Sequence, residues 1–378
     1  MSKNILITGG AGFIGTNLAL KLLKNGYSIT ILDNISKQVH GSNFNLTSSF
    51  KTVIEFTYFI KGDVRNREDW VKALENQDIV IHFAAETGTG QSMYEVEKYV
   101  DVNIRGTAIL LDCLVNGNHN VKKLILASSR AIYGEGKYYC REHGNVYPKG
   151  RREIDLLNSD FEVKCPVCKN HIDLLPIDED SSINPLSIYG ITKQTQEQIV
   201  KTTCNSIGIP SIVFRYQNVY GPGQSLSNPY TGILPIFSTR ILNENPINLF
   251  EDGRQSRDFV YVDDVVDATI LGIEKNEANN EVFNVGSGER ISVLNVAETL
   301  QKKYGLETEI NMTGNFRLGD IRHSWADLSK IRTKLGFEPR YRFDEGITKF
   351  IEWVQSQKVQ SDRYDYSIEK LSQKGIFK

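Results

Sequence analysis

The chain has 378 residues, room for about two or three domains, and its 40% hydrophobic and 24% charged residues exclude a disordered or fibrous polymer. Forty-four Lys and Arg against 46 Asp and Glu leave a formal charge of −2, so no basic excess points to a nucleic acid or an acidic membrane surface as partner. The longest apolar runs fall far short of the ~20 residues that span a bilayer, and the first residues do not read as a signal peptide, so a cytoplasmic protein is expected.

In chain order, residues 4–8 are a short β-run and residues 13–24 repeat apolar positions at helical spacing. A second β-run covers 27–33 and a third 53–61; residues 70–74 are helical and 79–85 read as a buried strand. The alternation continues through a helix at 101–114, a strand at 123–128, a helix at 189–204 and a strand at 211–216. Such a succession predicts right-handed crossovers and an α/β fold, a parallel sheet covered on both faces. Residues 138–172 interrupt the rhythm. They are polar, punctuated by Gly and Pro, hold three of the five cysteines, and read as an insertion. The expected layout is a first domain over 1–222 carrying that insertion, a smaller mixed α/β domain over 223–355 with strands at 247–250 and 282–285, and a polar tail over 356–378.

Thr8-Gly9-Gly10-Ala11-Gly12-Phe13-Ile14-Gly15 follows the first strand and opens the first helix. Gly9 and Gly12 permit a tight turn and the approach of backbone amides to a pyrophosphate, and Gly15 permits close helix–strand packing; the phosphates would sit on the helix N-terminus. Asp33, 18 residues after Gly15, ends the second strand where a carboxylate accepts hydrogen bonds from a ribose and repels a 2′-phosphate, which favours NAD over NADP. Asp63 is a candidate on the adenine side. Without a ligand the same glycines make only a tight turn, and it is the strand–turn–helix context with its acidic residue that argues for a dinucleotide.

Tyr189 and Lys193 stand four residues apart, on one face of a helix. A neighbouring cation lowers a phenol's pKa from its reference of ~10, making Tyr189 a candidate general base, and the Ser129 hydroxyl at a strand end can hold the substrate oxygen. The bland alternative is an exposed Tyr and Lys on a solvated helix.

Cys140-x2-His143 and Cys165-x2-Cys168 form two ligand pairs of the kind that converge on one tetrahedral ion, and thiolates with imidazole suit zinc. His171 is a spare ligand; reduced surface thiols or a Cys165/Cys168 redox pair are the alternatives. A closed four-ligand site is structural, stapling a segment with little apolar content. Entering directly after the Ser129 strand, the insertion is also placed to overhang a substrate pocket. Cys113, Cys204 and His82 read as core residues.

The ordered motifs TGGAGFIG, HFAAE, SSRAIYGEG, YGITK, FRYQNVYGPGQ, RDFVYVDDV, FNVGSGE and RLGDIRHSWAD cover most of residues 4–340 and resemble the extended short-chain dehydrogenase/reductase family, specifically its nucleoside-diphosphate-sugar epimerases and dehydratases. The resemblance implies a Rossmann-type doubly wound domain holding NAD, a C-terminal domain binding a nucleoside-diphosphate sugar, and a homodimer through helices near 101–114 and 189–204. It implies catalytic roles for Ser129, Tyr189 and Lys193. Cofactor contacts are expected at Gly9, Gly12, Phe13, Ile14, Gly15, Asp33, Asn34, Asp63, Val64, Ala84, Ala85, Tyr189 and Lys193. Substrate contacts are expected at Glu86, Thr87, Ser92, Ser129 and Asn218, with Arg257 and Arg317 as pyrophosphate partners. A guanidinium fork suits phosphate oxygens; a surface ion pair is the alternative for each arginine. Dehydrating members carry an acidic pair where this chain has Arg130 and Ala131, and decarboxylating members a Glu at the second position, so epimerisation at C4 is preferred over dehydration or decarboxylation. The segments GQSMYE, SSRAIYGEG, HGNVYP and CPVC resemble in particular the dTDP-L-rhamnose 4-epimerase group. An oxidoreductase with exchangeable NAD on the same fold is the runner-up; a non-catalytic relic is disfavoured because Tyr189 and Lys193 are both present.

Overall fold

The computed structural model describes residues 3–41, 48–230 and 232–378. Seven strands share one sheet: β1 (Asn4–Thr8), β2 (Ser28–Asp33), β3 (Tyr58–Lys61), β4 (Ile79–His82), β5 (Lys123–Ser129), β6 (Ser211–Tyr216) and β7 (Val282–Val285). Their order is β7-β6-β5-β4-β1-β2-β3 and every neighbouring pair is parallel. The chain winds outward in both directions from β1 and β4, so a crevice opens beyond the C-terminal ends of these two strands, where a doubly wound sheet receives its ligand.

The helices packed on this sheet and around its crevice include α1 (Phe13–Lys24), α2 (Arg67–Leu74), α3 (Gly106–Asn116), α4 (Ile188–Ser206), α5 (Ile233–Leu242), α6 (Val262–Glu274) and α7 (Tyr364–Gln373). Because strand side chains alternate, β1 sends Ile5 and Ile7 to one face, against Leu18 and Leu22 of α1 and Val265 and Val266 of α6. Leu6, with Val80, Leu124 and Leu126 of its neighbours, goes to the other, against Trp70, Leu110, Leu114 and Val200. Burial on both faces explains why these strands read as continuous apolar runs.

Four sequence expectations change. Residues 53–61 are not one strand: a helix covers Ser48–Phe56 and puts Val53 into the core beneath α1, leaving only Tyr58–Lys61 to pair at the sheet edge. The helix expected at 101–114 begins with wide turns over Val100–Arg105, which carry the fully buried Asn103. Residues 282–285 were assigned to the second domain, yet they hydrogen-bond to β6 as the last strand of the main sheet. The segment 356–378, read as a tail, contains α7, whose Tyr364, Ser367 and Leu371 are buried.

The rest of the second region is small paired strands, Asn218–Tyr220 with Phe259–Tyr261 and Ile247–Leu249 with Ile310–Met312, packed on α5 and neighbouring helices. The insertion folds as a three-stranded antiparallel sheet from Tyr138–Cys140, Gly144–Val146 and Asp173–Leu174, around a core of only Tyr138, Cys140, Val146, Val163 and Cys165. No described helix is long and apolar enough to cross a membrane.

Candidate active site

One cavity of about 590 Å³ runs from the glycine turn after β1 to the second domain. At its first end Gly9 adopts φ +68°, and a Cβ there would meet the Ala84 amide nitrogen at 2.7 Å; a Cβ on Gly15 would meet the Gly9 carbonyl at 2.5 Å. The backbone therefore approaches the crevice more closely than any side chain allows. α1 starts at Gly12 with no side-chain cap and no acidic residue in its first turn, so its leading amides and dipole are left for an anion. The Asp33 carboxylate, at the end of β2, accepts hydrogen bonds from the Ala11 amide at 3.0 Å and the Ile35 amide at 2.8 Å, which fix it against the turn. This cradle fits a dinucleotide. Phe13, Ile14, Asn34, Val64, Ala84 and Ala85 also line the cavity. Asp63 does not: its carboxylate is held by Arg65 at 2.8 Å, which lowers it to about 2, and accepts from the Asn34 side chain at 3.3 Å.

At the centre, Ser129 ends β5 and its hydroxyl accepts the Ala131 amide at 3.2 Å. Tyr189 opens α4, whose cap Ser187 accepts the Gly190 amide at 3.1 Å. One turn on, Lys193 points back along the same face, its Nζ 6.0 Å from the Tyr189 ring centre and donating to the Ala127 carbonyl at 2.9 Å. Burial brings the Lys193 ammonium down to about 7, opposed by Glu197 one turn further on. Glu197 in turn forms a buried pair with Arg215 at 2.8 Å and accepts from Ser128. Burial raises the Tyr189 phenol above its ordinary range; a hydrogen bond with Ser129 and the charge of Arg130 pull the other way. Two cations stand by the phenol: Arg130, whose charge favours its ionised form, and Lys193 one helical turn on.

Arg130 lines the cavity immediately after Ser129, and its Nε donates to the Asn218 Oδ1 at 2.9 Å. Beyond it, Asp320 joins the two other arginines: Arg317 Nη2 donates to Asp320 Oδ2 at 2.8 Å and Arg257 Nη2 to Asp320 Oδ1 at 3.3 Å. Three guanidinium groups around one carboxylate leave this wall positive, complementary to a diphosphate. Glu86 and Thr87 line the cavity, Glu86 paired with Lys98 at 3.1 Å. Ser92 lies behind the wall: its hydroxyl donates to the Thr89 carbonyl at 2.6 Å and accepts the Tyr189 amide at 3.1 Å, so it sets the start of α4.

Sequence reasoning missed several residues of the substrate half. Gln224 and Gln255 line the cavity, and each, like Gln217, keeps a buried amide atom without a protein partner, as suits a polar ligand site. Tyr364, Ser367 and Leu371 of α7 close the far end. Their i, i+3, i+7 spacing was the available signal. No residue of 138–172 lines the cavity, so the insertion does not overhang it.

The insertion does gather its ligand set. One atom from each of Cys140, His143, Cys165 and Cys168 lies within 4.8 Å of the others. Cys140 Sγ is 3.5 Å from His143 Nδ1 and 3.7 Å from Cys168 Sγ, and Cys165 Sγ is 3.7 Å from His143 Nδ1. These spacings match the edges of about 3.8 Å that zinc–sulfur bonds of ~2.3 Å give a tetrahedron, and they are far beyond a disulfide. His171 is outside the set, its backbone bridged to Lys164.

A doubly wound sheet with a glycine-rich anion turn, a Ser–Tyr–Lys group at its centre and a positive wall beyond defines a dinucleotide-dependent enzyme acting on an anionic substrate. The chain belongs to the NAD dependent epimerase/dehydratase family, which it matches over residues 5–150 and 166–286. The gap between the two matched segments falls inside the insertion. The dTDP-L-rhamnose 4-epimerase of Burkholderia thailandensis is 36% identical over 358 residues, covering 93% of this chain and 95% of that one. Among solved structures, the UDP-glucuronic acid 4-epimerase of Bacillus cereus in complex with UDP-glucuronic acid and NAD superimposes with a TM-score of 0.76 at 27% identity, covering 93% of this chain and 99% of that one. The UDP-glucose 4-epimerase of Thermotoga maritima with UDP-glucose gives 0.74 at 30% identity, with the same coverages.

Proposed function

We propose that the protein is an NAD-dependent 4-epimerase of a nucleoside-diphosphate hexose, with a dTDP-6-deoxyhexose of the L-rhamnose type as substrate. The observation that carries this reading is the pairing of Ser129 and Tyr189 with Arg130, a proton-handling hydroxyl pair beside a cation where elimination would need carboxylic acids. The similarity to the Burkholderia thailandensis enzyme supports the sugar and the base.

Bound NAD, which the glycine turn and Asp33 would hold, would supply the hydride acceptor and donor for the sugar C4. Tyr189 takes the proton of the C4 hydroxyl, and Ser129 hydrogen-bonds the same oxygen as it becomes a carbonyl. Lys193, tethered to the Ala127 carbonyl, stands one helical turn from the phenol. Arg257 and Arg317 hold the diphosphate while the pyranose turns to present its other face. Tyr189 then gives its proton back to the C4 oxygen. Neither Arg130 nor Ala131 can shuttle protons at C5 or C6, so loss of water has no relay. The test is incubation with a panel of nucleotide sugars in deuterated water without added NAD, read by NMR. The expected product is the C4 epimer with no deuterium in the ring. Deuterium at C3 or C5 or a net redox product would overturn the mechanism, and dependence on added NAD would mark an oxidoreductase. Tyr189→Phe should abolish turnover while NAD remains bound.

Zinc in the Cys140, His143, Cys165 and Cys168 site is part of the same proposal: the purified protein should carry one zinc per chain by elemental analysis. Exposed Val96, Val100 and Ile191 beside α3 and α4 support a homodimer through these helices. Reliance on NAD and an activated sugar supports a cytoplasmic enzyme of polysaccharide precursor synthesis.

A further inference from the structure

The insertion lines none of the cavity, yet its side chains reach the segment that carries the pocket's arginines. Glu162, three residues before Cys165, accepts from Arg322 Nε at 2.9 Å and Nη2 at 2.6 Å and faces His323 at 3.4 Å. Arg322, fully buried, also donates to Glu251 at 2.8 Å and to Asp252 at 2.7 and 2.9 Å, and its backbone amide donates to Glu135 at 2.8 Å. Arg151 crosses the same space: it pairs with Glu135 at 3.1 Å and Glu251 at 2.8 Å, and donates to the carbonyls of Phe161 at 3.0 Å and Asp320 at 3.1 Å. Arg257 completes the chain through the carbonyls of Ile321 at 2.8 Å and Arg322 at 2.9 Å. Leu156 and Phe161 add an apolar hold on Phe316, next to Arg317.

Apart from the bond from Arg151 to the Phe161 carbonyl inside the insertion, these hydrogen bonds join the insertion, the turn at Glu135, the 251–257 segment and the 320–323 segment to one another. At the outer end of this chain Glu162 stands three residues before Cys165 of the cysteine cluster, and at its inner end Asp320 pairs with both Arg257 and Arg317. We propose that Arg151 and Glu162 are positioning residues for substrate, and that the metal-stapled insertion acts through them to hold Arg257 and Arg317 in register for the diphosphate of the nucleotide sugar. This rests on the reading of those two arginines as diphosphate partners. Buried ion pairs fix geometry because a charge withdrawn from water has few arrangements that satisfy it. Loosening the chain therefore spreads the arginines over positions that no longer match a diphosphate, while the glycine turn and the Ser129–Tyr189–Lys193 group lie outside it.

The test compares Glu162→Gln and Cys168→Ser with the unaltered holoenzyme. Glu162 is half exposed at the rim of the network, and Cys168 gives a second entry from the metal side. Both variants should raise KM for the nucleotide sugar, and Kd for free nucleoside diphosphate by calorimetry, about tenfold, with kcat and bound NAD unchanged; Glu162→Asp should recover part of the affinity. Cys168→Ser should also lose the metal. Unchanged KM and Kd in a folded Glu162→Gln, or in Cys168→Ser depleted of metal, would overturn the coupling. So would a fall in kcat together with loss of NAD, which marks general damage. Arg317→Gln serves as the control: if it leaves nucleoside diphosphate binding intact, the diphosphate reading itself falls, and the coupling with it, by a result distinct from the others.

Discussion

Arg130 separates this pocket from one built to eliminate water. Burial and then the charge of Arg257 lower the Arg130 guanidinium to about 9, so at neutral pH it is still a cation and not the carboxylic acid that elimination needs, and its charge favours the Tyr189 phenolate. The sign of its effect follows. Tyr189 works when deprotonated, burial raises its pKa, and Arg130 opposes burial; Arg130→Gln should therefore move the ascending limb of the kcat–pH profile to higher pH. At a fixed neutral pH the rate falls about tenfold for each unit of that move. Arg130→Lys should restore most of it, and a limb that stays in place in Arg130→Gln would show that the cation does not act on the phenol. The sequence identified Tyr189, Lys193 and Ser129 because their types and spacing carry the chemistry. It identified Arg130 only as a missing acid, because which cation faces the phenol depends on how β5 and α4 cross. Beneath them, removing one partner of the buried Glu197–Arg215 pair costs far more than removing one of an exposed pair such as Arg332–Glu338. Glu197→Ala leaves Arg215 buried without its partner and should cost about 3–5 kcal/mol in denaturant unfolding, against at most about 1 kcal/mol for the exposed pair.

Helix α7 shows how an element escapes a composition-based reading. Its segment is polar, and only one narrow stripe, Tyr364, Ser367 and Leu371, faces inward. The buried Arg240 anchors it, paired with Asp362 and Asp365 at 3.1 Å each and lying over the Tyr364 ring at 4.6 Å. Deleting residues 362–378 strands that guanidinium and opens the far end of the cavity. The expected result is weakened nucleotide-sugar binding, at least tenfold in KM, with NAD content retained; loss of NAD would show that α7 supports the whole fold instead. The cysteine insertion was legible for the opposite reason. Its ligand types and two-residue gaps are local, so the cluster could be read before any fold was known. That it works behind the cavity wall, not above it, depends on long-range pairs such as Glu162 with Arg322, which no local pattern reveals.

At the scale of the molecule, the alternation of strands and helices and the glycine turn announced the doubly wound sheet and the end at which it binds ligand. What they did not announce is how the chain is shared between the halves. After Asn218 it builds part of the substrate half, and at Val282–Val285 it returns to the sheet. Periodicity could not show this, because a four-residue apolar run reads alike in either half. On solution scattering or sedimentation the proposed assembly is a dimer; a monomer at working concentrations would remove α3 and α4 as its interface.

That return has a consequence for anyone wishing to exchange parts among relatives. A fragment ending near residue 222 lacks β7 and bares the hydrogen-bonding edge of β6, with Phe214 losing its stacked neighbour Phe283. An uncovered strand edge of this kind recruits further chains. A transplant of the sugar-recognising half onto another nucleotide-binding half must therefore leave residues 282–285 with the recipient sheet, using two junctions where a single crossover would aggregate.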